Sequence, residues 1–456
     1  GIVLAAAFVP LAALCAEETG VTGEVPAGET ASGEVPLGEV PAGEARSSDV
    51  PSGDIRLARV RIISGESVAV WDASGITVID GDAEPATSFA AVASFFAIEP
   101  GSSLTAVELA KECRLAELRM GASGLFYEAT CALAPVRKNP GERTVIISVS
   151  PGFLWRFNGG DLWAMVGRAG LGGGRGSITA WFGWNRNGIR WFNPRVLGTR
   201  AAIGVESVLM GPGDSAVRPT DDPLIRSALT AGCSFSPDAH SGLEFLSMTT
   251  LDSDGNEEAG FPRIGILAAG PYLSWRRFLP GLHDNPPAQT SGRAALRAMN
   301  VAGAWQAEAW SATRIPLTGR FACAFKASAG AGSDEVPIGA SFDLYDYDDR
   351  CVRSGYEEDE LTASSFALAS AELRFTALSA RIIPIVPMEV VPFLFCDAAV
   401  LSSPSELGSD GFRDAYAFGI GTRVLFKNPV FAYFSFSYGI NPDGDGRFMF
   451  CGTAGY

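Results

Sequence analysis

Residues 390–400 read VVPFLFCDAAV, and the position of the single charge in this run decides how it can fold. In a strand, side chains alternate between two faces, so Asp397 shares a face with Phe395 and Phe393 while Leu394 and Cys396 take the other. The second face carries no charge and can meet an apolar phase; the first holds a carboxylate that needs water or a partner. Similar alternation recurs in SITAWFGWN (177–185), RAAIGVESVLM (200–210), RSALTAGCSF (226–235), GILAAGPYLSW (265–275), VAGAWQAEAWSA (301–312), GRFACAFKASAG (319–330), SSFALASAELRF (364–375), AYAFGIGTRVLF (415–426), VFAYFSFSYGI (430–440) and RFMFCGTAGY (447–456). No helical period of useful length interrupts them. A soluble sandwich would also alternate. Aromatic residues at the stretch ends, small residues between them and no helical cover point instead to a membrane barrel, whose closure leaves no unpaired backbone in hydrocarbon. About 300 residues at roughly 19 per strand and turn predict a mainly β protein, a transmembrane antiparallel β-barrel of about 16 strands over residues 153–456.

The whole chain has 456 residues, with 35 basic and 51 acidic side chains and a net charge of −16, which offers no electrostatic footprint for nucleic acid. Only His240 and His283 are available for histidine chemistry, so no metal centre, cofactor or catalytic triad is expected, and the protein reads as a non-enzyme. The glycine-rich GRAGLGGGRGS (167–177) lacks the Lys-Ser/Thr of a phosphate loop and reads as a turn, and DLYDYDDR (343–350) lacks the Gly and terminal Glu of a calcium loop and reads as a solvated acidic loop. Ser241 follows His240 outside any nucleophile elbow. Trp155, Trp163, Trp181, Trp184 and Trp191 read as an aromatic girdle at a membrane interface. Eight cysteines show no metal spacing; a Cys113–Cys131 disulfide is conceivable in an oxidising compartment, and scattered apolar packing explains the set as well.

Toward the N-terminus, GIVLAAAFVPLAALCAEE (1–18) reads as the apolar part of an export signal, residues 1–16, with cleavage after Ala16 and lipidation of Cys15 as the rival. Residues 17–54 repeat roughly G-E-V-P-x, with acidic residues every five positions from Glu24 to Asp54; they read as an extended, solvated acidic Gly/Pro linker. Residues 55–152 form a small α+β domain whose core is placed at 74–152, in the order β-α-α-β-β. Its first strand is read from GITVIDGD, and residues 55–73 as at most an edge hairpin. In LTAVELAKECRLAELRM, Leu104, Val107, Leu115 and Leu118 can share a helical face, and Thr105 with Glu108 suits a capping box.

On these residues the sequence resembles a known family. The stretch from Val78 to Pro135, with its link at Ile98–Thr105 and its step at Gly124–Tyr127, resembles a POTRA (polypeptide-transport-associated) domain. CVRSGYEEDEL (351–361), ALASAELRF (367–375) and VPFLFCDAAV (391–400) resemble the signature of the BamA/TamA superfamily of outer-membrane assembly factors, in which an Arg-Gly-aromatic loop folds back into the lumen. The last stretch is similar to the aromatic-terminated signal of barrel proteins. Ser354 splits the usual Arg-Gly pair, Ala399 replaces a Gly, and one POTRA unit stands where the general assembly factor has several.

The resemblance implies a lumen loop lock made by Arg353, Gly355, Tyr356, Glu372 and Asp397, a C-terminal assembly signal of Phe448, Phe450 and Tyr456, and a POTRA client-binding edge at Tyr127, Ala129 and Cys131. Arg374 could substitute for or compete with Arg353. It further implies insertion or translocation of polypeptides at the bacterial outer membrane by β-strand addition, without nucleotide hydrolysis. The implied partners are outer-membrane lipids, unfolded or nascent outer-membrane polypeptides and periplasmic accessory proteins. The POTRA domain is expected in the periplasm, with the loop at Asp346–Glu360 entering from the outer side. A passive pore, or a surface antigen that binds through outer loops at 279–293 and 345–362, are the alternative readings.

Overall fold

The computed structural model describes residues 54–451 except for short stretches, the longest being 82–87, those on either side of Asn256, 346–350, 405–410 and 427–432. The signal segment with Cys15, the acidic repeat before Asp54, Tyr456 and the Asp346–Asp349 cluster lie outside the described residues, as do the side chains of Trp155, Trp163, Trp181 and Trp184.

In IRLARVRIIS a bulge between Leu57 and Arg59 shifts the alternation by one residue, so Ile55, Leu57, Val60 and Ile62 are all buried, and Ile55–Ser64 (β1) is the middle of a mixed sheet. The strands Ser67–Asp72 (β2), Gly75–Asp80 (β3), Phe126–Val136 (β5) and Asn139–Pro151 (β6) complete it in the order β3-β2-β1-β6-β5, and Ser103–Leu104 (β4) pairs β1 from the side. This corrects the expected core of 74–152. β1 runs parallel to β6, with Val60 opposite Val145 and Ile62 opposite Ile147, so the core begins at Ile55 and β3 is an edge. A parallel partner so distant in sequence leaves no local mark, whereas the β1–β2 turn does, and that turn invites the reading as a hairpin.

Two helices, Phe89–Ala93 (α1) and Ala106–Ser123 (α2), cover this sheet. Glu108 accepts from the Thr105 backbone N–H at 2.8 Å while Thr105 Oγ1 accepts from Glu108 N–H at 3.2 Å, completing the capping box. The buried face of α2 is Leu109, Cys113, Ala116 and Met120; Val107, expected on it, is exposed. Cys113 and Cys131 are free thiols in contact; their hydrogen bond, together with burial, pushes the Cys131 thiol well above the ordinary range.

The barrel is built from Trp155–Gly160 (β7), Trp163–Leu171 (β8), Gly176–Gly183 (β9), Arg186–Asn193 (β10), Ala201–Met210 (β11), Leu224–Ser236 (β14), Ala239–Thr250 (β15), Ile266–Asp284 (β16), Pro287–Met299 (β17), Trp305–Pro316 (β18), Phe321–Gly332 (β19), Ser365–Phe375 (β22), Leu378–Ile383 (β23), Val386–Ser402 (β24), Phe412–Phe426 (β25), Tyr433–Ile440 (β26) and Gly446–Cys451 (β27). Small hairpins, Gly213–Ser215 (β12) with Arg218–Thr220 (β13) and Phe342–Asp343 (β20) with Thr362–Ala363 (β21), sit in its loops. Because β22 and β23 both pair with β24 as segments of one strand, the closed circuit has sixteen strands. Leu229, Leu243, Phe245, Leu296, Phe325, Leu394, Phe418 and Ile420 are exposed on the outside, whereas Glu244, Arg297, Glu372 and Asp397 are buried. An apolar outer surface around a charged interior makes this a transmembrane antiparallel β-barrel. Among the described residues no helix is long and apolar enough to cross a membrane.

Antiparallel strands place successive connections at alternate rims. The turn at 237–238 and the loop at 194–200 share the rim from which β7 departs, while residues 333–364 lie at the other. Residues 279–293 are not a long outer loop: β16 and β17 pair out to Asp284 and Pro287, so this hairpin closes at the rim of the N-terminal domain. There Arg119 of α2 donates to both oxygens of Asp238, at 2.7 and 2.6 Å, to Glu112 at 2.6 Å and to the Phe95 carbonyl at 3.1 Å. The Arg175 guanidinium lies 4.1 Å over the Phe95 ring, and Arg200 pairs with Glu99 at 3.0 Å.

Candidate functional site

The loop between β19 and β22 turns into the lumen on apolar anchors. Phe342, Leu344, Val352 and Leu361 are buried with Phe366, Leu368, Phe393, Phe395 and Leu401 of the wall. Val352 N–H donates to Leu344 O at 2.9 Å and Ser354 N–H to Val352 O at 3.0 Å, and this tight fold presents the intervening Arg353 to the wall. Arg353 donates to Asp397 three times: from its backbone N–H at 3.0 Å, Nε at 2.9 Å and Nη2 at 2.7 Å. Its Nη1 reaches Glu372 at 2.5 Å, and the guanidinium lies 3.9 Å over the Phe395 ring. Asp397 is completely buried, so its charge is tolerable only with such partners.

Ser354, which splits the Arg-Gly pair, is itself buried, and among the described residues its hydroxyl makes no hydrogen bond. Two glycines admit the backbone. A Cβ on Gly355 would lie 2.6 Å from the Asp445 carbonyl carbon, and one on Gly439 would collide with the Arg353 carbonyl oxygen. Tyr356 packs against the same apolar cluster, and its hydroxyl accepts from the Tyr416 N–H at 3.1 Å.

Glu372 is shared. Arg374 donates to it from Nε at 2.8 Å, and Arg423 grips both oxygens at 2.5 and 2.7 Å while stacking 4.2 Å over Phe393. Arg374 thus accompanies Arg353 rather than displacing it. Arg423 escaped the sequence reading. Its signal was present: Arg413, Ala415, Ala417, Gly419, Gly421 and Arg423 share one face of β25, so Arg423 is a charge that follows four small residues on that face. A second network lies elsewhere in the lumen, where Glu244 binds Arg293 and Arg297, and Arg297 also binds Glu308 at 2.6 Å. It too is invisible in the sequence, because only register brings residues of β15, β17 and β18, on either side of β16, within reach of one another.

Solved structures of similar fold are known. CdiB from Escherichia coli matches with a TM-score of 0.53 at 11% identity, over 86% of this chain and 75% of that one. CdiB from Acinetobacter baumannii matches with a TM-score of 0.50 at 13% identity, over 87% of this chain and 73% of that one. The chain has the CdiB fold. A weaker overlap, with a TM-score of 0.46 at 13% identity over 87% of this chain and 84% of that one, is with BamA from Haemophilus ducreyi lacking POTRA domains 1–3. No protein-family model and no curated protein matches the sequence.

On this CdiB-like fold the other expected site residues fall as follows. In β27, Phe448 is 60% exposed on the outside and Met449 is buried inside. Phe450 stacks on Phe436 at 4.5 Å along the outer surface. Arg447, on the inner face, lies 3.8 Å over the Tyr345 ring of the inserted loop. In the N-terminal domain, β5 is a sheet edge on which Tyr127 is exposed, whereas Ala129 and Cys131 pack inward toward α2. The Cys131 N–H is already taken by Glu117 at 2.8 Å, so part of that edge is capped by a helix side chain. The opposite edge, β3, exposes Ile76, Val78 and Ile79.

Proposed function

We propose that this protein is an outer-membrane barrel that assists the insertion or translocation of other polypeptides, working by strand addition and without nucleotide hydrolysis. The observation that carries this reading is the loop fastened inside the lumen by Arg353, Asp397 and Glu372, in a barrel whose near rim bears an α+β domain with unpaired strand edges. A plugged lumen suits a machine that handles chains better than an open conduit for solutes. Unpaired edge N–H and C=O groups are what an extended client can use. In this reading the N-terminal domain is periplasmic and acts as a POTRA domain, the 333–364 loop enters from outside, and the partners are outer-membrane lipids, nascent barrel polypeptides and periplasmic accessory proteins.

The apolar residues of β3, together with the partial capping of β5 by Glu117, favour β3 as the principal docking edge, with Tyr127 at the open end of β5. Photoreactive side chains at Ile79 and Tyr127 test this in cells. Crosslinks to unfolded outer-membrane polypeptides are expected, more from Ile79. Conductance of small solutes by the purified protein, with no polypeptide captured at either position, would favour the passive pore.

A further inference from the structure

The charges of the lumen are not evenly matched. In the network on β15, β17 and β18, Glu244 and Glu308 answer Arg293 and Arg297 one for one. At the inserted loop and the wall beside it, Arg314, Lys326, Arg353, Arg374 and Arg423 outnumber Glu372, Asp397 and Glu389 among the described residues. Arg353, Arg374 and Arg423 share the first two carboxylates. Arg314 has no carboxylate partner in contact among the described residues: Glu389 attracts it, Arg374 and Arg423 repel it, and its Nε is buried without an acceptor.

Register shows what lies between these cations. Arg314 of β18 stands opposite Ala324 of β19, which stands opposite Glu372 of β22; one step along the same inner face, Ala322 stands opposite Arg374. Phe321 and Phe325 point outward, so Ala322 and Ala324 are the inward residues of β19 at this level, and both are buried. Arg314 and Arg374 therefore spring from strands about 10 Å apart across a floor of two methyl groups. Guanidinium forks match carboxylate and phosphate oxygens, and a surplus buried cation is stabilised by an anion it can share.

We propose that Arg314 and Arg374, across the Ala322–Ala324 floor, form a subsite in the lumen that binds one oxyanion of the carboxylate or phosphate type. Two sources carry that chemistry: a free phosphate-like anion, or an acidic side chain of a polypeptide segment lying in the lumen. The subsite does not depend on the polypeptide-handling reading.

The test uses the full chain folded in detergent micelles, with thermal unfolding followed while inorganic phosphate is titrated against sodium chloride at constant ionic strength. A saturable rise in Tm is expected. Arg314→Gln should weaken the apparent affinity about tenfold or more, as befits loss of a charge-assisted fork. Arg190→Gln removes a cation elsewhere in the lumen and should leave the response intact. Ala324→Leu fills the floor without touching a charge and should also abolish the response, which covers the case in which Arg314→Gln folds poorly. A parallel titration with an oligoglutamate peptide separates the sources: a rise at lower concentration than with phosphate assigns the site to polypeptide carboxylates, and a rise with phosphate alone assigns it to free anions. No saturable rise with either probe, or an unchanged response in both Arg314→Gln and Ala324→Leu, would overturn the proposal.

Discussion

Replacing Arg353 by Ala should damage one carboxylate and spare the other. Asp397 is fully buried and would keep only the backbone N–H bond at 3.0 Å, whereas Glu372 would still be held by Arg374 and Arg423. Removing one partner of a buried pair costs about 3–5 kcal/mol, chiefly because the other charge is left uncompensated. The Arg353 side chain is only 14% exposed, so water can recover little of this, and roughly 3 kcal/mol is the expected loss. Asp397→Asn should then return most of it in the Arg353→Ala background, since it removes the stranded charge. The same double change with Glu372→Gln should return nothing, because Glu372 is not stranded and its loss would leave Arg374 and Arg423 facing each other. Urea unfolding of the barrel in micelles, read by tryptophan fluorescence and arranged as two double-mutant cycles, measures both couplings. An Arg353–Asp397 coupling below about 0.5 kcal/mol, the limit for independent sites, would refute the reasoning.

Other outcomes follow from the same geometry. Phe448→Asp, on the outer face, should reduce the folded fraction in liposomes far more than Met449→Ser on the inner one; equal losses would mean that β27 does not face lipid as described. Gly439→Val should displace the loop, so a cysteine placed at the buried Ser354 would be shielded from maleimide in the parent chain and labelled in the variant, and continued shielding would contradict the close approach. Arg119→Ala should free α2 from the rim, seen as a broadened distance distribution between spin labels at the exposed Val107 and Leu317. Arg119→Asp combined with Asp238→Arg should narrow it again, and an unchanged distribution in Arg119→Ala would deny this contact its holding role.

The barrel was legible because its evidence is local: a period-two pattern needs only neighbouring residues, and Asp397 declares its face within VVPFLFCDAAV. What failed was what depends on distant partners. β1 looked like half of a hairpin because its parallel neighbour β6 lies far along the chain, and the β16–β17 ribbon looked like a loop because Pro280, Gly281, Pro286 and Pro287 crowd its tip. In α2 the pattern Val107, Leu115, Leu118, read with Leu104 just before it, competed with Leu109, Cys113, Ala116, Met120, and only the sheet beneath decides between two such faces. Arg353, Glu372 and Asp397 were brought together by resemblance. Arg423 and Arg314, which set the charge balance around them, belong to no motif and become neighbours only through strand register.

The parallel pairing of β1 with β6 also governs how the N-terminal domain bears load. The chain enters β1 at its start, from the acidic repeat, and leaves β6 at its end for the barrel. Tension between an object gripping the repeat and a barrel anchored in the membrane would thus draw the two neighbouring strands past each other along their length. In that shearing geometry every hydrogen bond from Leu57–Arg143 to Ser64–Val149 is strained at once, instead of opening one after another as in a zipper. The strand at the centre of the domain is the one that would take such a pull, so the sheet would resist it with a whole row of hydrogen bonds together.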